Sequence, residues 1–199
     1  MLDLAAIDGV LSMAKAIDLL EMTLAHEAHG ATSVSPKFTT DFDGGAMRVL
    51  FAADSDAGYC AMKAYHSIQG VGTRYVVLLY SLSSGELLAL VDGRLITDLR
   101  TGAASGVAAR KVPLAGPVSI GVIGSGNQAR TQLESLAAVY EVESATVYSP
   151  TAANREAFAQ EMSAKLGIPV TPAASAEAAV RGRRVVTTAS NARNAEPVL

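Results

Sequence analysis

The sequence predicts an α/β chain in two parts: an N-terminal α+β region, then a C-terminal region in which strands and helices alternate. Three observations carry this expectation. After Pro36 the chain holds short apolar runs separated by turn residues, downstream of one amphipathic helix. From Pro117 the rhythm changes to strand, helix, strand, helix, the mark of a parallel sheet covered by helices. Leu114-Ala-Gly-Pro117 punctuates the change, so residues 1–115 and 116–199 are expected to form separate domains.

Taken in order, Ser12 is placed to N-cap a helix that runs to about His29, where Gly30 stops it. Val10, Met13, Ile17, Leu20 and Leu24 recur at spacings of three and four, which gives one apolar stripe. Met47–Ala52 and Tyr59–His66 read as strands around the turn-rich segment 53–58. Arg74–Ser81 and Glu86–Asp92 flank Ser83-Ser-Gly85 as a hairpin. The text TDLRTGAASGVAAR, Thr97 to Arg110, reads as a helix starting at Thr97, with Arg100 in its first turn and almost nothing but small residues after it. Such a smooth face admits close approach of a second backbone or of a ligand.

Downstream, strand Val118–Ile123 precedes helix Gln128–Tyr140, and strand Ala145–Ser149 precedes helix Ala152–Leu166, which Gly167 ends. A strand at Pro169–Thr171, a helix at Ser175–Arg181 and a strand at Arg184–Thr188 follow. A doubly wound dinucleotide fold uses about six strands. Only four are legible, the last beside the first with an open apolar edge, so the sequence reads as truncated.

Composition narrows the function classes. Half the residues are hydrophobic and 18% are charged, which excludes disorder. The mean hydropathy of +0.28 is high, yet no apolar run reaches the roughly 18 residues of a membrane span, so the excess apolar surface is expected to meet a partner subunit. A net charge of −3 without a basic stripe argues against nucleic acid. The single cysteine, Cys60, excludes an intramolecular disulfide and reads as a core residue; the three histidines show no metal-ligand spacing. No secretory signal is evident at the N-terminus, so a cytoplasmic location is expected by default.

The stretch PVSIGVIGSGNQARTQLESL, Pro117 to Leu136, carries the chemistry. A β-branched strand meets Gly124-Ser-Gly126-Asn-Gln-Ala129, and a helical pattern follows at once. Gly124 permits the sharp turn, Gly126 lets backbone N–H groups approach a pyrophosphate, and Ala129 lets the helix pack close to its strand. The second part is therefore read as an incomplete Rossmann-type NAD(P)-binding domain. Its expected cofactor contacts are Gly124, Ser125, Gly126, Asn127, Gln128, Ala129, Ser149, Thr151, Arg155, Thr188, Ala189 and Ser190, and Thr101 of the first part is expected to join them. NAD sites place a carboxylate about 20 residues past the turn. Here the second strand ends Tyr148-Ser149-Pro150-Thr151, without one. Ser149 and Thr151 can bond a 2′-phosphate and Arg155 can neutralise it, so NADP(H) is favoured over NAD(H).

A second set of signals stands in one order through the N-terminal half: Pro36-Lys37, Gly45-Ala-Met-Arg48, Met62-Lys63-Ala-Tyr-His66-Ser67, and Asp98-Leu-Arg-Thr-Gly-Ala-Ala104. With the glycine turn, these resemble the ornithine cyclodeaminase/mu-crystallin family, which includes archaeal-type alanine dehydrogenases and ketimine reductases. The resemblance runs from about Ser12 to Leu199, and Arg100–Ala104 is its most specific block. It implies an N-terminal domain that binds a small amino- or imino-acid substrate and dimerises through its sheet. It implies Lys63 as the catalytic lysine near the reacting carbon and Arg100 as the holder of the substrate carboxylate. Arg48 matches a substrate-contacting arginine of the alanine dehydrogenase-like branch. Lys37 stands where the cyclodeaminase branch has arginine, and Thr73 falls near a substrate-side threonine. The family's catalytic aspartate is expected beyond residue 199.

The residue types fit this chemistry. A planar guanidinium binds a carboxylate bidentately, and a lysine among apolar neighbours can polarise a carbonyl or carboxylate. By its neighbours alone, Lys63 reads as an ordinary strand-surface lysine, and Arg100 as a salt-bridge residue at a helix start. Two functions stay open on the sequence. One is NAD(P)-dependent hydride transfer at the α-carbon of an amino or imino acid, in imine reduction, alanine dehydrogenation or ornithine cyclisation. The other is a non-catalytic protein, or truncated remnant, that holds NADP(H) or a small ligand.

Overall fold

The computed structural model describes residues 2–7 and 9–190. The chain divides into two compact units. The described residues up to Ser12, with Asp18–Thr97, form the first; Met13–Ile17 and the described residues from Asp98 form the second.

The first unit is built on strands β1 (Thr32–Val34), β2 (Phe38–Phe42), β3 (Gly45–Asp54), β4 (Tyr59–Ile68), β5 (Gly72–Ser81) and β6 (Leu87–Asp92). They follow a short helix α1 (Leu4–Ile7) and helix α2 (Met13–Ala28), and helix α3 (Gly93–Arg110) comes next; the division between units passes through α2 and α3. The strands form one antiparallel sheet, β1-β3-β4-β5-β6, with β2 also on β3. Strands β3 and β4 each run ten residues, longer than their apolar runs, because they pair continuously from Gly45↔Ile68 to Asp54↔Tyr59. Side chains opposite one another in such a ladder share a face, and alternate residues take the other. One face carries Arg48, Lys63, Tyr65 and Tyr75. The other carries Phe38, Met47, Phe51 and Leu87, each about half exposed, around an apolar hollow of about 420 Å³ lined by Phe51, Met62, Cys60 and Tyr80.

Helix α2 ends where Gly30 takes a left-handed φ of 81°. Two histidines fasten that end to the β3–β4 turn. His26 Nδ1 lies 2.9 and 3.0 Å from the Asp54 oxygens, and His29 Nε2 lies 2.7 Å from Asp56. The Ala57 N–H donates to Asp54 at 2.9 Å. That bond, and then His26, hold the Asp54 carboxyl below the usual carboxylate range.

Helix α3 starts at Gly93, four residues before the expected Thr97. Asp92 Oδ1 accepts from the Arg94 N–H at 2.8 Å and does the capping, so Thr97 is interior and its hydroxyl donates to the Gly93 carbonyl at 2.6 Å. Arg100 is therefore not in the first turn but beyond the second. The partial charge of a helix N-terminus fades within one turn and does not reach it.

The second unit contains β7 (Val118–Ile123), α4 (Asn127–Ala137), β8 (Val142–Tyr148), α5 (Ala152–Leu166), β9 (Val170–Pro172), α6 (Ala176–Val180) and β10 (Val185–Thr188). The sheet is parallel, in the order β10-β7-β8-β9, with the fourth strand beside the first as expected. Every residue of β7 is buried, which is why its sequence reads as a continuous apolar run and not an alternating one. Ile120, Val122, Ala129, Leu133, Val147, Phe158 and Met162 form the core with α4 and α5. Helix α5 ends at Gly167 in the left-handed region, and the Ser175 hydroxyl caps α6 by accepting from Ala178 N–H at 3.1 Å.

The smooth face of α3 meets a backbone. A Cβ on Gly102 would stand 2.5 Å from the Thr131 carbonyl oxygen of α4, and one on Gly106 would stand 2.5 Å from Ser135 Oγ. Gln132 Nε2 donates to the Thr101 carbonyl at 3.2 Å, and the Tyr140 hydroxyl reaches the carbonyls of Ala109 and Val112 at 3.0 and 2.8 Å. Among the described residues no strand lies on the outer side of β10, and no helix is long and apolar enough to cross a membrane.

Candidate active site

The chain reverses direction after β7 through Gly124, whose φ of 111° no other residue adopts without strain. A Cβ there would also strike the Ala189 carbonyl after β10. The next glycine differs in kind. Gly126 has an ordinary extended backbone, and a Cβ on it would meet nothing within 4 Å. It caps α4 without any side-chain bond, so the first N–H groups of α4 lack intrahelical partners, and the space beside Gly126 stays open.

That space is a cleft of about 610 Å³ at the carboxyl ends of β7, β8 and β10. Its lining includes Gly124, Ser125, Gly126, Ser149, Thr151, Ala189 and Ser190 from the expected set, and also Tyr148, Pro150 and Asn154. Carboxyl ends flanking the point where strand order reverses are where open parallel sheets bind ligands. The Ser125 hydroxyl donates to Ser149 Oγ at 2.9 Å, bridging the two strand ends. Arg130 holds the turn from behind. Its guanidinium bonds the Ser125 carbonyl, pairs with Glu161 at 2.7 Å and lies 5.3 Å from the Phe158 ring centroid. The same guanidinium holds the Glu161 carboxyl below its usual range.

Other expected contacts sit around the lining. Arg155 donates to the Ser149 carbonyl at 3.1 Å and lies 5.9 Å from the Tyr148 ring centroid, so it is fixed at the end of β8. Ala129 is fully buried in the core, which leaves only its backbone to face a ligand. Gln128 donates to Asp98 at 2.6 Å while its side-chain carbonyl is buried without a partner. Asn127 opens α4, Thr101 lies on α3, and Thr188 is exposed at the end of β10.

In the first unit, the register brings Arg48, Lys63 and Thr73 to one sheet face, since Arg48 pairs with Tyr65, Lys63 with Val77 and Thr73 with Ser67. Ser67 Oγ and Thr73 Oγ1 are 2.9 Å apart. Lys63 Nζ lies 5.3 Å from the Tyr65 ring centroid and 5.1 Å from that of Tyr75, and Arg48 lies 5.7 Å from Tyr65. Two cations on one half-buried face suit a carboxylate. His66, three residues past Lys63, points to the other face, as strand alternation requires. Lys37 is exposed just before β2, and Arg100 is exposed on α3.

The sequence profile of the ornithine cyclodeaminase/mu-crystallin family matches residues 1–199. The chain belongs to this family. Among its relatives, a Delta(1)-pyrroline-2-carboxylate reductase of Bacillus cereus is 35% identical over 117 residues, 59% of this chain and 36% of the relative. The Thermococcus litoralis Delta(1)-pyrroline-2-carboxylate reductase, solved with NADH and L-proline, superposes with a TM-score of 0.92 at 31% identity, over 100% of this chain and 63% of that one. An archaeal alanine dehydrogenase dimer with bound NAD gives 0.85 at 28% identity, over 94% and 59%. The chain thus spans between about a third and two thirds of the length of these proteins.

Within this family member, sequence reasoning missed Tyr75. The signal was available: a turn centred on Gly70 sets Tyr75 opposite Tyr65, and alternation sets both beside Lys63.

Proposed function

We propose that this chain is the substrate- and dinucleotide-binding part of an NAD(P)-dependent oxidoreductase acting at the α-carbon of a small amino or imino acid. The observation that carries the reading is the glycine-lined cleft at the carboxyl ends of β7 and β8, with Gly126, the residue that caps α4, in its lining. When bound there, the nicotinamide supplies or accepts the hydride. Gly126 leaves room for the pyrophosphate, and the N–H groups that begin α4 bond it. Ser149, Thr151 and Arg155 recognise a 2′-phosphate. Among the described residues no carboxylate lines the cleft to bind free ribose hydroxyls, and this supports NADP(H) over NAD(H).

On the substrate side, Lys63 and Arg48 present two cations on one sheet face, and Lys63 polarises the reacting group or its carboxylate. Arg100 anchors the carboxylate bidentately, with Lys37 and Thr73 as further contacts. Residues 1–115, Arg100 among them, then serve substrate binding and dimerisation, and residues 116–199 serve the cofactor. The half-exposed face around Phe51 supports a homodimer formed through the sheet, because an apolar patch of that kind marks a partner surface.

Fluorescence titration with reduced cofactors tests the reading. The protein should bind NADPH at least as tightly as NADH, and Gly126→Val should abolish both. Preference for NADH would overturn the NADP assignment alone. Unchanged binding by Gly126→Val would overturn the cleft as the cofactor site.

A further inference from the structure

The geometry points to Tyr65 and Tyr75 as positioning residues that hold the Lys63 ammonium and keep Arg48 beside it on one face. The inference rests on the proposed reading in which Lys63 meets the substrate. The two rings face each other at 5.4 Å between centroids, inclined by only 29°. Lys63 Nζ sits 5.3 Å from one centroid and 5.1 Å from the other, so it belongs to both rings. Arg48 lies 5.7 Å from the Tyr65 ring. All these distances are within the range in which a ring's negative face attracts a cation.

The arrangement solves a physical problem. A lysine and an arginine on neighbouring strands repel each other. The Tyr65 ring attracts both cations, so they are held within reach of one anionic group. Gly93 at the start of α3 packs on the stem of Tyr75; a Cβ there would stand 3.0 Å from Tyr75 Cβ. The attraction comes from the ring face, so the hydroxyls are not required and phenylalanine should serve.

The test uses the purified protein with NADP+ and Delta(1)-pyrroline-2-carboxylate, whose dissociation constant is read by calorimetry, comparing Tyr75→Leu, Tyr75→Phe, Tyr65→Leu and Lys63→Met. Lysines are also reductively ¹³C-methylated, so that ring currents displace the Lys63 methyl resonance upfield. Tyr75→Leu should lose much of that displacement and weaken substrate binding roughly tenfold, and Tyr75→Phe should keep both near the parent values. Tyr65→Leu should behave like Tyr75→Leu, which guards against one variant failing to fold. Unchanged resonance and affinity in both leucine variants, with affinity lowered by Lys63→Met, would overturn the inference and leave the functional reading intact. An unchanged affinity in Lys63→Met would instead overturn the reading that Lys63 meets this substrate, and the inference with it.

Discussion

Gly102→Ala pits two opposed effects against each other, and the structure says which wins. In a helix interior alanine is favoured over glycine by about 1 kcal/mol, so on propensity alone the substitution stabilises α3. The added Cβ, however, would lie 2.5 Å from the Thr131 carbonyl oxygen and 2.9 Å from Met13 Cε. The methionine end can swing aside. The carbonyl belongs to the backbone of α4 and moves only if the two helices separate. Overpacking of this kind costs about 1–3 kcal/mol, and a rigid backbone neighbour puts it at the upper end. The net expectation is a loss of about 2 kcal/mol, or about 4–8 °C in melting temperature for a chain of this size. Thermal unfolding followed by circular dichroism measures it, with Gly126→Ala as a companion whose Cβ meets nothing and whose stability should stay near the parent value. A Gly102→Ala protein that melts at or above the parent temperature would refute the close α3–α4 contact as the reason for the small residues.

Arg100→Lys replaces a bidentate fork with a point charge and should cost about 2–5 kcal/mol in substrate binding, read by calorimetry, while cofactor affinity barely changes; equal losses of both would show that Arg100 works on the cofactor or on the helix. Asp54→Asn should lower the melting temperature at neutral pH, because a carboxyl held below its usual range stabilises the fold wherever it is ionised. That difference should shrink as pH falls below about 4 and through the folded-state value, and a gap that persists in acid would show that the charge is not what matters. Phe51→Asp puts a charge on the exposed apolar sheet face and should give monomers by light scattering where the parent is expected to give dimers; an unchanged mass would move the subunit interface elsewhere.

Legibility from sequence followed the kind of signal each element carried. Helix α5 was readable to the residue, Ala152 to Leu166, because Gly167 takes the left-handed conformation that glycine at such an end usually signals. Strand β7 was readable because burial on both faces leaves an unbroken apolar run. The start of α3 was misread because Asp92-Gly93 looks like the end of a strand, and only the bond from Asp92 to the Arg94 N–H reveals a cap. Strand β1 has three residues and no apolar alternation, and it exists because β3 offers it a ladder from Thr32↔Asp54 to Val34↔Ala52. At the site, the glycine turn was legible because its residues are contiguous. The contact of Lys63 with the Tyr75 ring follows from register across the Gly70 turn, a signal that the sequence holds but that a linear reading of apolar runs does not use.

The anchoring of the glycine turn by Arg130 bears on how fast and how tightly a dinucleotide can be caught. One guanidinium ties the Ser125 carbonyl to Glu161 on α5 and lies against Phe158 in the core, so the loop is braced on a part of the molecule no ligand has to move. A phosphate arriving at α4 then finds its donors already aimed, and little of the interaction is consumed in ordering the chain. Association should be limited by encounter instead of by rearrangement, with affinity differences among cofactors appearing in their departure rates.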